Sequence, residues 1–193
     1  MDLILHKKQP PSRLKRKKEL LKLLVARSGI HASLNACKLM IENVYGMGHD
    51  LYYPLYSSVV VCYSRPFTNN KPHGALPEKW YTFDDSIHDE MHKKILKARH
   101  ELIAHSDMVV NKAFIVPAGV TVAKNEKKPI VSEHIGVQTT MYYYPLSFFE
   151  NAYNLCLFQG KRISREIDIL LDELYEDMEL PNAAFEIRMD NGL

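Results

Sequence analysis

The sequence predicts a mainly α-helical fold, a single domain over residues 1–193 that forms a helical bundle with one β-hairpin inserted between helices. Apolar residues recur at helical spacing over most of the chain, whereas residues 109–144 are rich in β-branched residues. The composition agrees, because 46% hydrophobic residues and a net charge of +2 suit a globular domain that buries its own core. With only eight glycines and ten prolines, the chain is not of low complexity.

The first part of the chain is predicted to be helical, with a break. We expect residues 1–11 to be a flexible start and Ser12 to cap the helix that follows. Gly29 is expected to interrupt this helix, because glycine disfavours a helix interior. Helical spacing resumes over residues 32–45, so the region forms one broken helix or two short ones.

Charge is divided between the two ends of the chain. Basic residues crowd residues 7–27, and acidic residues crowd residues 166–179. We expect these two charged helices to complement each other, within one subunit or between two. The alternative is that the basic end is a phosphate-binding arm.

Two further helices are predicted in the middle of the chain. Residues 51–63 are apolar nearly all round, which indicates a buried helix with a proline tolerated in its first turn. The alternative is a buried strand around residues 59–61. A loop over residues 67–85, rich in Asn, Pro and Gly, follows it. Asp85 or Ser86 then begins an amphipathic helix that should run to about Ala104.

The rest of the chain is predicted to hold the hairpin and a long helix. Strand-like runs on either side of a polar turn at residues 125–129 form the β-hairpin. Pro145 opens a helix whose apolar spacing continues to Met178, with Gly160 as the place for a kink. We expect residues 179–193 to be a loose tail.

The cysteines and the hydropathy pattern indicate a reduced, cytoplasmic protein. Cys37, Cys62 and Cys156 are odd in number, lie far apart and have no Cys-x-x-Cys spacing. The chain has no apolar run of about 18 residues, so we expect no contact with a membrane. The early apolar stretch is broken by Lys22, which argues against a secretory signal.

The helix predicted over residues 86–104 carries ionisable side chains on its apolar face. Turning each residue by about 100° gathers the apolar side chains into one arc, and His88, His92 and Arg99 fall in the middle of it. The apolar residues are Ile87, Met91, Ile95, Leu96, Ala98, Leu102 and Ile103.

A buried guanidinium needs a partner, because leaving it unpaired costs several kcal/mol. Arg99 therefore requires a carboxylate, backbone carbonyls, a partner subunit or a bound anion. In the purely structural interpretation, Arg99 pairs with an acid such as Asp84 or one on the last helix. His88 and His92 are then hydrogen-bonded core residues.

The end of this helix, Arg99-His100-Glu101-Leu102-Ile103-Ala104-His105, resembles the Arg-x(4 to 6)-His signature of the HEPN superfamily. The following Ser106-Asp107 and the amphipathic helix resemble the branch found among abortive-infection systems. The resemblance implies a homodimeric, metal-independent endoribonuclease in antiviral defence, or a toxin, with a composite site at the dimer interface. The resemblance is also compatible with an antitoxin or a sensor protein as a further partner. It implies no cofactor.

The resemblance also implies residue roles. His105 would be the catalytic acid or base, Arg99 would hold the scissile phosphate, and His100 would assist. The chemistry agrees, because histidine moves protons near neutral pH and arginine offers a planar, permanent charge to phosphate oxygens. The expected RNA products are a 2′,3′-cyclic phosphate and a 5′-hydroxyl.

Other interpretations remain open. Arg65, His88 and His92 are expected to contact RNA, although the two histidines could instead pack in the core. The same two histidines have the i, i+4 spacing of zinc ligands, but Asp89 stands where the zincin motif has Glu, and we expect no metal. The alternative to the enzyme is a non-catalytic HEPN-like module that binds nucleic acid or a protein.

Overall fold

A computed structural model describes residues 12–45, 49–69, 74–100, 112–124, 129–131, 133–140, 144–180 and 182–187. The described part of the chain is mainly helical, as predicted. Its α-helices are α1 (Arg13–Asn43), α2 (Tyr52–Ser64), α3 (Ser86–Ala98) and α4 (Leu146–Tyr175), with short 3₁₀ turns at Arg65–Phe67 and Glu78–Trp80. No helix in this described part is long and apolar enough to cross a membrane.

The two long helices, α1 and α4, pack against each other along their length and form the centre of the core. They run antiparallel, because Arg13 near the start of α1 donates to the Leu174 carbonyl, and Ser33 lies beside Cys156. Helix α2 packs on α1, and α3 packs on both α4 and α2. The largest aliphatic side chains that are fully buried include Leu20, Leu23, Ile30, Leu155, Ile163 and Ile167.

Helix α1 runs without a break through Gly29, so the predicted interruption there is wrong. A Cβ atom at this position would lie 2.8 Å from the backbone carbonyl oxygen of Cys62 on α2. One turn further along, the buried Ser33 hydroxyl donates to the Val59 carbonyl at 3.0 Å. Gly29 therefore serves the close approach of two helices, and tertiary packing outweighs its poor helix propensity.

The hairpin prediction is confirmed. Strand β1 (Lys112–Val116) pairs antiparallel with β4 (Gly136–Thr140), and β2 (Thr121–Lys124) pairs with β3 (Pro129–Val131). The β1–β4 pair and the β2–β3 pair share one continuous register up to an irregularity after Thr121. The four strands therefore form a single two-stranded ribbon that is interrupted between the two pairs. Gly119, with φ of 85°, stands in the interruption, where the left-handed conformation suits glycine.

The predicted complementarity of the charged helices is found within one subunit. Arg16 on α1 lies 3.1 Å from the Glu173 carboxylate on α4. Lys79, in the second 3₁₀ turn, lies 2.9 Å from Glu166 and 3.5 Å from Glu19, so it links α4 to α1. These pairs are partly exposed, so each contributes little to the stability of the fold.

Several sequence predictions fall outside the described residues. They include the flexible start at residues 1–11, the extension of α3 beyond residue 100, and residues 125–128 of the hairpin turn. Helices α2, α3 and α4 begin where the local sequence predicts, at Tyr52, Ser86 and Leu146.

Candidate functional site

Helix α3 is fixed at its start by its own capping residue. The Asp85 carboxylate accepts a hydrogen bond from the Ile87 backbone N–H at 2.9 Å, and Asp89 pairs with Lys93 one turn later. Its buried residues are Met91, His92, Ile95 and Ala98. Ile87 is 60% exposed, so its predicted place on the inward face is wrong.

His92 is buried in the core, with 4% of its surface exposed. Its Nδ1 atom lies 2.8 Å from the Tyr63 hydroxyl of α2, and the rings of Phe67, Tyr81 and Phe83 surround it. Burial lowers the pKa of His92 to about 4, so the imidazole is neutral at pH 7. The geometry favours the structural interpretation of this histidine over a contact with RNA.

The neighbouring charges on α3 have opposing, smaller effects on the pKa of His92. Asp89 raises it and Lys93 lowers it, and these two residues form an ion pair with each other. Burial itself is therefore the cause of the depressed value.

His88 lies at the edge of the same aromatic cluster. Its ring stacks on Phe158 of α4, with centroids 4.7 Å apart and an angle of 23° between the planes. Its Nδ1 atom lies 3.2 Å from an Asp85 carboxylate oxygen, without the geometry of a hydrogen bond. The Phe83 ring also lies near it, with centroids 6.3 Å apart, so His88 belongs to the edge of the aromatic cluster.

The histidine pair does not begin a metal site in the described part of the chain. No group of three or more His, Cys, Asp or Glu side chains is gathered there. Moreover, Nδ1 of His92 is already engaged by Tyr63. The zinc interpretation therefore has no third ligand among the residues that the structure describes.

Arg99 stands at the C-terminal end of α3. Its backbone N–H donates to the Ile95 and Leu96 carbonyls, and residues 99 and 100 continue the helix as a wider π-type turn. The side chain is half-buried. Among described residues it has no ion pair or side-chain hydrogen bond, so the expected pairing with Asp84 is not found.

The remaining predicted site residues are spread along the same region. His100 is exposed next to Arg99, whereas His105 lies outside the described residues. Arg65 is exposed just after α2, at the start of the first 3₁₀ turn. Arg99 is seven residues beyond His92, about 10 Å further along α3.

Comparisons of the chain with protein-family models, with curated proteins and with solved structures found no match. The functional assignment therefore depends on the residues themselves.

A polar network around Gln159 was not predicted from the sequence. Gln159 is fully buried in α4, donates to the Trp80 carbonyl and accepts from Arg162 at 3.2 Å. Arg162 also donates to the Lys79 carbonyl at 2.8 Å, and its guanidinium lies over the Trp80 ring. This network anchors the second 3₁₀ turn to α4. The sequence did contain a signal for this network, because Gln159 occupies a position of α4 at which the helical spacing predicts an apolar residue.

The same turn borders a shallow basic cavity of about 370 Å³. Arg162 and Arg165 of α4 and Lys79 of the turn line it, together with Glu166. Lys79 pairs with Glu166, and Arg162 donates to the Lys79 carbonyl and to the Gln159 side chain. Arg165 has no ion pair among described residues.

Proposed function

We propose that the protein is a metal-independent endoribonuclease of HEPN type, acting as a homodimer in antiviral defence or as a toxin. The observation that supports this proposal is Arg99, a half-buried guanidinium at the end of α3 with no anionic partner among described residues. A phosphate of RNA is an anion that its planar donors fit well. The motif that Arg99 begins continues with His100 and ends at His105.

The predicted site histidines divide into two groups in this proposal. His92 is buried and neutral, with a pKa of about 4, and is unsuited to exchange protons with a substrate near pH 7. His100 is exposed beside Arg99, and His105 completes the motif in the sequence. Proton transfer is therefore assigned to the motif that begins at Arg99 and not to the middle of α3.

The reaction follows from the chemistry of RNA. The ribose 2′-oxygen attacks the phosphorus, the bond from phosphorus to the 5′-oxygen breaks, and a 2′,3′-cyclic phosphate forms. A histidine takes the 2′-hydroxyl proton or delivers a proton to the leaving 5′-oxygen, while Arg99 holds the non-bridging oxygens. No metal is required in this scheme.

Cleavage of a mixed-sequence RNA in EDTA tests the proposal. We expect the natural protein to produce cyclic phosphate ends. Arg99→Ala and His105→Ala should lose at least about 100-fold in rate, as is usual for groups that transfer protons or stabilise charge. Lys94→Ala is the matched control, because Lys94 is an exposed cation on the same helix. Equal cleavage by His105→Ala would contradict the proposal, as would cleavage that depends on added zinc.

Mixed dimers test whether the site is composite. Combining Arg99→Ala subunits with His105→Ala subunits should restore part of the activity if each site takes residues from both subunits. No recovery would place the whole site within one subunit. If the natural protein binds RNA but leaves it intact, the non-catalytic module is the correct interpretation.

A further inference from the structure

A groove of about 570 Å³ runs between α1 and α4. Its described lining residues all belong to these two helices, and none belongs to α3. The fully buried Ile30 and Cys156 form its floor, and the half-buried Leu24, Leu34 and Leu157 form its walls. This volume lies in the range of about 300–1,000 Å³ that is typical of small-molecule sites.

The rim of this groove carries charge of one sign. Arg27 and His31, one turn apart on α1, and Lys161 on α4 are all exposed. None of the three forms an ion pair with another described residue, and the described lining contains no Asp or Glu. The hydroxyls of Ser28 and Ser164 add hydrogen-bonding groups at the same rim. The rim therefore suits a negatively charged group.

Gly160 opens the groove in the middle of α4. Glycine destabilises a helix interior relative to alanine, so its presence there requires a reason. At Gly29 the reason is the close approach of α2, but among the described residues a Cβ atom at Gly160 would meet only Ile30, at an ordinary contact distance of 3.9 Å. Packing against the described part of the chain does not demand this glycine. Its missing side chain leaves room for a ligand to lie against α4.

We propose that the groove binds a fatty carboxylate, with its alkyl chain along the leucine walls and its carboxylate between Arg27 and Lys161. The described lining has four aliphatic side chains and no Phe, Tyr or Trp, which favours an alkyl chain over a nucleobase. A second copy docked symmetrically on this groove would bring two basic rims together, which opposes self-association there. This site goes beyond the proposed nuclease activity and does not depend on it.

Calorimetric titration of the full chain with decanoate tests the proposal. We expect saturable one-to-one binding, and binding of decanol, which has the same chain without the charge, should be weaker by about ten-fold or more. The double variant Arg27→Gln with Lys161→Gln should bind decanoate about ten-fold more weakly and bind decanol with unchanged affinity. Both positions are exposed, so the fold should tolerate these changes.

Gly160→Leu fills the groove and should weaken the binding of decanoate and of decanol alike, by about ten-fold or more. Asn154→Leu is the matched control, because it adds the same side chain at an exposed position of α4 outside the groove. Sedimentation of these variants reports the oligomeric state.

Any of four results would overturn the proposal. These are the absence of saturable decanoate binding, equal affinity for decanol, unchanged binding by Gly160→Leu, and a change of oligomeric state in Gly160→Leu but not in Asn154→Leu. The last result would assign the groove to a second copy of the chain.

Discussion

The same substitution, glycine to alanine, should have opposite effects at two positions of the long helices. Gly29 lies in α1 and Gly160 lies in α4, and both have ordinary helical backbones. Alanine favours a helix interior over glycine by about 1 kcal/mol at either position. This gain is common to both variants. The difference between their free energies of unfolding therefore reports how well the added methyl group packs at each position.

The structure gives the size of that difference. At Gly29 the new Cβ would lie 2.8 Å from the Cys62 carbonyl oxygen, and this neighbour is backbone, which cannot rotate away as a side chain can. Overpacking of this kind costs about 1–3 kcal/mol. At Gly160 the nearest atom is the Ile30 Cγ2 at 3.9 Å. We therefore expect Gly160→Ala to stabilise the protein by about 1 kcal/mol, and Gly29→Ala to destabilise it by up to about 2 kcal/mol.

Urea unfolding followed by far-UV circular dichroism measures both effects. The midpoints should move in opposite directions while the m-value stays constant, because neither change alters the surface exposed on unfolding. A loosened contact between α1 and α2 in Gly29→Ala should also weaken protection of the nearby amides from exchange. Equal stabilisation of the two variants would refute the close approach of α1 to Cys62.

Two further predictions concern the buried polar groups. His92 should make the protein less stable by about 3 kcal/mol as the pH falls from 7 to 4. Its pKa is 6.5 in the unfolded chain and about 4 in the folded protein, so at pH 4 the unfolded chain is almost fully protonated at this residue while the folded protein is about half protonated. Urea titrations at several pH values measure how the free energy of unfolding changes with pH. His92→Gln should reduce this pH dependence, and an unchanged dependence would count against the assignment to His92. Gln159→Leu should lower the free energy of unfolding by about 1–3 kcal/mol, because the Trp80 carbonyl and Arg162 lose a buried partner. A stability equal to that of the natural protein would show that this network is replaceable.

Local signals in the sequence predicted the starts of the helices well. Ser12 caps α1, Asp85 caps α3, and Pro145 precedes α4, as the residue types require. The runs of β-branched residues on either side of a polar turn likewise predicted the hairpin, since composition and turn residues are local properties. These features depend on residues a few positions apart, so one sequence suffices to reveal them.

Features that depend on distant partners could not be predicted in this way. Gly29 has the sequence signature of a helix break, and only the position of Cys62 on another helix shows that it is a contact point. Ile87 has the right spacing for the inward face of α3, but it lies in the first turn, where no neighbouring element covers it. The helical arc predicts which residues can face inward, and the tertiary fold decides which of them do.

The three ionisable residues on the apolar face of α3 illustrate how far that inference extends. The sequence required a partner for each, since burying a polar group without one is costly. The structure supplies the Tyr63 hydroxyl for Nδ1 of His92, whereas His88 stacks on Phe158 and its Nδ1 makes no hydrogen bond among described residues. Arg99 forms neither an ion pair nor a side-chain hydrogen bond in the part of the chain that the structure describes. A buried polar group needs a partner, and Tyr63 fills that need for His92. We therefore expect a bound anion at Arg99, at the end of α3, where the Arg-x(4 to 6)-His motif begins.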